Sequence, residues 1–596
     1  MEMRRVVVVK KHANNNSQKA AYFGHKTVCI SEVQIYNYNP FANHRHFAFG
    51  TGFSYFVTID ITMNITMNKN LLAGILLSAA TIANAQDDAV KYANSITPED
   101  LKKHLVIIAS DSLEGRDTGS PGQKKAAEYV SKYYKQFGLQ PAATAADGSK
   151  SYLQKYTLYK RSYGDVYVKA GGKKFEFNKD FYLNGLLTVP EEISANVVLA
   201  GFGIEDQAYS DYKNLDVKDK SVIIFEGEPK SADGKYLLSG TTEKSKWGAT
   251  VGWQNKVKLA REKGAKYVFI ITDKTGDDLD KEIRQRAAMA RRFSAPTLKP
   301  VQENPNNIAA FGVSQDLGAK ILNTSVAKLA KSRESIEKSG KALTKNPTGS
   351  VSMKVERISE TIDTENVAAF MEGSDKKEEV LVISAHLDHI GISPNGEINN
   401  GADDDGSGTV SLLEIAEAFS KAKAEGKGPR RSILFLNVTG EEKGLFGSEY
   451  YSENPLYPLK NTIADLNIDM IGRVDEAHKN DHKYVYLIGS DKLSSKLHEI
   501  SEEANKKYVN FKLDYTFNDP KDPNRFYYRS DHYNFAKVGV PVIFYFTGVH
   551  EDYHKPGDDV EKILFDKQSS IVKLVFHTAW ELVNRDERIL VDSNKE

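Results

Sequence analysis

The chain has 596 residues, of which 40% are hydrophobic and 27% charged, and its formal net charge is zero. That is an ordinary composition for a water-soluble globular protein, and the length allows two or more domains. No long Lys/Arg block is present, which removes nucleic acid and anionic membrane surfaces as the main partners.

The first readable segment begins at Met67, MNKNLLAGILLSAATIANAQ. Lys69 supplies a short positive region, and Leu71 to Ile82 is an apolar run too short for the roughly 20 residues of a membrane span. Ala83-Asn84-Ala85 is a small-x-small cleavage site before Gln86. Residues 67–85 are therefore expected to be a signal peptide, which predicts export to the periplasm or the exterior and no membrane span in the mature chain. Signal peptides sit at a true start, so residues 1–66 are expected to be a spurious extension, with Met63 or Met67 as the start codon. The alternative is a cytoplasmic extension before an internal anchor. The one cysteine, Cys29, lies in this stretch, so a mature chain could form no disulfide or thiolate metal site.

Residues 86–190 read as the first part of the main domain. Thr97-Pro98-Glu99-Asp100 starts a helix, and SPGQKKAAEYVSKYYKQFGL is a second, amphipathic one ending at Gly138. Between them lies a Gly-rich loop, ASDSLEGRDTGSPG. From 151 to 190, apolar and polar residues alternate as in strands. Residues 191–330 have their own rhythm of strands separated by Gly and Asp turns, with one helix expected around 255–263.

After the polar linker SGKALTKNPTGS, residues 331–596 alternate strand and helix. EEVLVISAH, RRSILFLNVTG, NTIADLNIDM and VGVPVIFYFTG are continuous apolar runs, as in strands buried on both faces of a parallel sheet. The predicted fold class is α/β, a mostly parallel central sheet flanked by helices, with residues 191–330 as a β-rich insert.

Each of the four buried runs ends in a His or carboxylate cluster, and ligands of open α/β sheets gather outside the carboxyl ends of strands. In SAHLDHIG, His386 and Asp388 are two apart and share a face of an extended strand, so Asp388 can orient the His386 imidazole. NNGADDDGSG places Asp403, Asp404 and Asp405 before a helix near Ser407, where capping is the plainer role. In TGEEKGLFG, adjacent Glu441 and Glu442 cannot project the same way, so one can bind a metal while the other addresses its water. NIDMIGR adds Asp469, and GVHEDYHKPGDD adds His550 and His554. Any one cluster has a bland reading as a cap or a solvated surface; five in order at strand ends point to a metal centre.

These motifs resemble the two-zinc exopeptidases of metallopeptidase family 28, over residues 96–145 and 355–565. YKNLDVKDKSVII and GAKYVFI resemble the protease-associated domain that accompanies that family. The resemblance implies two Zn2+ ions, one held by His386, Asp404 and Asp469, with Asp404 bridging to a second held by Glu442 and His554. It implies Glu441 as general base and Tyr553 as the phenol that steadies the transition-state oxyanion, with peptides as substrates. Three carboxylates, two Zn2+ and a bridging hydroxide sum to neutrality. Asp403 and Asp405 would be turn or supporting residues, His389 and His550 would fall outside the ligand set, and Ser530-Asp531-His532 would shape the pocket. An aminopeptidase is the leading expectation, and a carboxypeptidase or dipeptidase of the same family is the alternative. Transferrin-receptor-like binding proteins share the architecture but lack the ligands that are intact here. A glutaminyl cyclase is disfavoured by the Glu-Glu pair and the insert.

Overall fold

A computed structural model describes residues 88–207, 209–300 and 308–594, and four short strands near the N-terminus. The chain divides into two units, 1–76 and 77–596. In the first, Arg5–Val9 pairs antiparallel with Val33–Asn37, and Ala20–Phe23 with Lys26–Cys29. These strands fall inside the expected extension; the expected signal peptide at 67–85 lies outside the described residues.

In the second unit, the four apolar runs form the strands Lys376–His386, Arg431–Val438, Thr462–Ile468 and Val542–Phe546. They are neighbours in the order 431–438, 376–386, 462–468, 542–546, and all pair in parallel. Burial on both faces explains why the runs do not alternate. Leu381, Ile383 and Ala385 pack into one core with helices Pro98–Ile108, Pro121–Gln136, Gly408–Ala424 and Phe565–Asn584, whereas Val380 and Val382 face a second core with Tyr451 and Phe535. Ile383 is fully buried, so Ile383→Ala should cost about 2–5 kcal/mol. The first two helices start as expected: the Thr97 hydroxyl accepts from Asp100 N and the Ser120 hydroxyl from Gln123 N, each followed by proline.

A ribbon of two long strands, Leu153–Ala170 and Thr348–Met371, continues this sheet into a smaller lobe. They pair antiparallel from Ser352↔Lys169 to Val367↔Leu153, with an irregularity between Val355 and Arg357. Met353 and Val355 belong to the core of the smaller lobe, and Val367, Ala369 and Met371 to that of the main lobe. One strand thus ties two cores together.

The smaller lobe differs from a β-rich insert with one helix. Its strands Val189–Leu199, Ser221–Phe225, Val268–Ile271 and Ala310–Val313 are joined in parallel one after another. Parallel neighbours need crossover connections, which are usually helices. Gly252–Glu262 matches the expected helix, and Gly276–Phe293 and Gln315–Ile321 are additional ones. The lobe's core also reaches past 191–330, taking in Phe175 and Phe181 before it and Ile336 and Met353 after it.

Candidate metal centre

Strand 376–386 has neighbours on both sides that leave it in opposite directions, which makes its carboxyl end the switch point of the sheet. The predicted ligands meet there. His386 Nε2 lies 3.2 Å from Asp404 Oδ1 and 3.6 Å from Asp469 Oδ1. His554 Nε2 is 3.1 Å from Asp404 Oδ2 and 3.1 Å from Glu442 Oε2. Two donors about 2.0–2.2 Å from one tetrahedral ion stand roughly 3.3 Å apart, so these separations suit a shared metal on each side of Asp404. Asp404 uses one carboxylate oxygen toward each side, and its buried Oδ2 accepts no hydrogen bond among the described residues. A buried carboxylate oxygen without a donor is costly, and a cation would satisfy it. The donor set of imidazoles and carboxylates fits zinc.

The backbone holds these side chains by specific devices. Gly401 has φ +56° and a Cβ there would stand 2.2 Å from Asp404 O; Gly440 has φ +83° and would meet Tyr156 Oη at 2.9 Å. Both turns therefore require glycine. The Tyr156 hydroxyl donates to Thr439 O, just before the Glu441-Glu442 pair. Met470 and His554 each adopt a left-handed backbone with φ 55°, a conformation non-glycine residues hold at a cost and mostly at functional sites.

The aspartate triplet divides its labour. Asp405 accepts from His386 N, Gly408 N and Met470 N, tying two strand ends to the start of the helix Gly408–Ala424. Asp403 accepts from Gly472 N and faces His550 Nε2 at 3.4 Å. Asp558 accepts from Asp403 N and Asp404 N and so aims the bridging carboxylate. Asp388 differs from its expected role. The His386 imidazole meets the main-chain oxygen of Asp388, with Nδ1 at 3.0 Å, while the carboxylate is 4.0 Å away. That carboxylate instead accepts from Thr118 Oγ1 at 2.6 Å and Glu441 N at 3.3 Å, holding the glutamate loop. The strand ends at His386, which turns the Asp388 side chain away from the imidazole. Ser530 donates to Asp469 Oδ2 at 2.6 Å, Asp531 accepts from Ser448, and buried His532 stacks on Phe544, so this segment supports the site.

The expected ligand set left His389 out, and neither Arg116 nor the apolar pocket wall was singled out in the sequence. His389 is fully buried, with Nδ1 2.8 Å from Glu442 Oε1 and 3.8 Å from Asp404 Oδ2, and these three residues form a second possible metal-holding group beside His386, Asp404 and Asp469. Its position three residues after His386 was the available signal. Arg116, 1% exposed, donates to Leu387 O, Ile108 O, Asn400 O and Gly401 O. Its cation underlies Asp404, Asp405, Asp388 and Asp558, offsetting charge that burial would otherwise make untenable. Finally, the pocket over the ligands is walled by Met470, Phe526, Phe544, Phe546 and Val549 and includes Arg529 and Tyr553.

Electrostatics separate the two glutamates. Burial, followed by the neighbouring carboxylates of Glu442, Asp531 and Asp469, pushes Glu441 well above the usual carboxylate range. Burial also opposes the charge on Glu442, but His389 and His554 outweigh it and hold that carboxyl below its ordinary value. Burial opposes the charge of His554 as well, yet Asp404 and Glu442 raise it to about 10. One glutamate is thus disposed to take a proton and the other to stay ionised beside imidazoles. Tyr553 stacks on the His554 ring at 3.9 Å and accepts from Arg529 Nη2 at 3.4 Å.

Residues 366–579, which carry all of the candidate ligands above, match the model of peptidase family M28. The chain is 31% identical over 236 residues to a probable leucine aminopeptidase of Arthroderma benhamiae, covering 38% of this chain and 60% of the relative. It is 27% identical over 220 residues to aminopeptidase YwaD of Bacillus subtilis, covering 36% and 43%. The chain thus spans about 60% of the length of the first curated relatives it matches. Among solved structures, an aminopeptidase from Aneurinibacillus sp. strain AM-1 aligns over 85% of this chain and all (100%) of its own, at 18% identity and a TM-score of 0.43. Among the described residues, no helix is long and apolar enough to cross a membrane.

Proposed function

We propose that the chain is an exported, zinc-dependent aminopeptidase that removes N-terminal residues from peptides, using two metal ions. The observation that carries this is the meeting of His386, Asp404, Glu442, Asp469 and His554 at the carboxyl ends of adjacent parallel strands, at separations of 3.1–3.6 Å. The names of the family M28 relatives support the peptidase reading, and the segment 67–85 supports export.

His386, Asp404 and Asp469 would hold one ion, and Asp404, Glu442 and His554 the other. When bound, zinc polarises the scissile carbonyl and acidifies the attacking water. Glu441, its carboxyl raised by burial, takes the proton of that water and returns it to the leaving amine. Tyr553 donates its hydroxyl to the oxygen on which charge develops. The apolar wall of Phe526, Phe544 and Phe546 receives the side chain on the acyl side of the bond and excludes water.

The test pairs two substrates on the purified, zinc-loaded chain: leucine p-nitroanilide, and an N-blocked peptide with a free carboxylate. The expected result is hydrolysis of the first only, abolished by a chelator and restored by zinc. Cleavage of the blocked peptide alone would make the protein a carboxypeptidase, and hydrolysis of neither would end the proposal.

A further inference from the structure

The loop that carries Glu441 and Glu442 is held at two places. At its neck the fully buried Asn366 amide spans it, with Oδ1 accepting from Thr439 N at 3.1 Å and Nδ2 donating to Gly447 O at 2.9 Å. Inside the loop the hold is the Asp388 carboxylate, whose Oδ1 accepts from Glu441 N at 3.3 Å. Asp388 is fully buried, and its other oxygen accepts from Thr118 Oγ1 at 2.6 Å. Thr118 is 4% exposed, and a Cβ added at Gly440 would stand 3.7 Å from its methyl carbon. The hydroxyl of Thr118 thus bonds the carboxylate that holds Glu441, and its methyl packs beside the residue before Glu441.

Of these two bonds to Asp388, the one from Thr118 is the stronger. A hydroxyl on an ionised carboxylate makes a short, charge-assisted bond of about 2.5–2.7 Å, whereas an amide contact of 3.3 Å is at the weak end of the range. Anchored by the weaker bond alone, the carboxylate can turn about its Cβ–Cγ bond, and Glu441 N loses the acceptor that sets its place. Thr118 is itself well fixed. Its β-branched side chain is stiff at χ1, and its neighbours tie the loop down: Arg116 donates to Leu387 O, and Asp117 Oδ1 stands 2.5 Å from the ammonium of Lys443, the residue after Glu442. Three consecutive residues, all preceding the stretch 366–579, therefore grip the strand end and the glutamate loop.

Resting on the peptidase reading above, we infer that Thr118 is a positioning residue for the general base: through Asp388 it fixes the backbone of Glu441, and so the place from which that carboxyl takes the proton of the attacking water. Its hydroxyl acts on the base rather than on the ligand set or the substrate, so its effect falls on kcat.

The experiment measures kcat, KM and bound zinc for hydrolysis of leucine p-nitroanilide by the full, zinc-loaded chain and its variants. Thr118→Val keeps the size and removes the hydroxyl; kcat should fall about 10- to 100-fold, the cost of a base misplaced by about 1 Å, with KM within about 2-fold and zinc still near about two per chain. Thr118→Ser keeps the hydroxyl and should return most of the loss. In a Glu441→Gln background the same Thr118→Val change should cost less than about 2-fold, because the base that it positions is already gone. Should Thr118→Val fail to fold, Thr118→Ser against Thr118→Ala reads the same oxygen atom. Full activity without the hydroxyl, a loss that Thr118→Ser does not restore, or an equal loss with and without Glu441 overturns the inference and leaves the aminopeptidase reading standing. A wild-type chain that hydrolyses nothing overturns both.

Discussion

The adjacent glutamates give the sharpest separation of roles under one conservative change. Glu441 lies in the pocket beside His386, Asp404 and Asp469, and its backbone N donates to Asp388 at 3.3 Å. Gln at this position keeps the size and removes the base, while both ligand sets remain. Zinc should stay near about two per chain while turnover falls about 10²- to 10⁴-fold, equivalent to about 3–5 kcal/mol of barrier. Glu442 has Oε1 2.8 Å from His389 Nδ1 and Oε2 3.1 Å from His554 Nε2. Gln there leaves Asp404 as the one anionic donor on that side, with His386 and Asp469 untouched on the other. One zinc should remain and the second should weaken by at least about 10-fold, so that added metal restores part of the activity. Atomic emission after dialysis at limiting zinc, with leucine p-nitroanilide turnover, reads both. Zinc lost from Glu441→Gln and kept in Glu442→Gln would mean base and ligand are exchanged, and full activity in both would remove the two-metal mechanism.

Arg116→Met strands four buried carbonyls and removes the cation among the aspartates, so it should destabilise the fold by about 3–5 kcal/mol in urea, and more in chelator than in zinc; equal losses in both would separate Arg116 from the centre's charge. His389→Ser should lower affinity for the second zinc by about 10- to 100-fold in a calorimetric titration, and an unchanged isotherm would exclude it from the site. Buried Glu414, whose oxygens accept no hydrogen bond among the described residues and whose Oε1 is 3.6 Å from His104 Nε2, has its carboxyl pushed up to about 8 by burial first and the carboxylates of Glu417 and Asp100 next. A folded value above the unfolded one means stability is present below about pH 4.5 and lost as pH rises to about 8, so Glu414→Gln should gain up to roughly 5 kcal/mol over the wild type above pH 8 and little near pH 4. A gain independent of pH in denaturation curves would contradict that reasoning.

Much of this protein was legible in the sequence because its signals are local. A strand buried on both faces must be apolar throughout, so 376–386, 431–438, 462–468 and 542–546 stand out, and a polar cluster at the end of each marks where the sheet meets solvent. Thr97 and Ser120 announce their helices for the same local reason. The α/β class and the clusters that hold the five candidate ligands follow from such signals, whereas the choice of Asp404 and Glu442 within their clusters is what the family resemblance implies.

What the tertiary structure alone decided depends on partners far apart in the chain. Arg116 sits in a Gly-rich loop that gives no sign of its role until the loop packs against residues 387–401, where three carbonyls accept from its guanidinium. His389 joins the centre because the Glu441-Glu442 loop, 53 residues on, folds over it. The Asp388 carboxylate serves the glutamate loop because the chain turns at the end of its strand, where the two-residue period no longer applies. The ribbon of 153–170 and 348–371 joins segments nearly 200 residues apart, and strand pairing over such a distance leaves no periodic mark in either segment. Phe526, Arg529, Phe544 and Tyr553 form one pocket because two loops meet over the strand Val542–Phe546, and pocket chemistry is set by that meeting in space rather than by spacing along the chain.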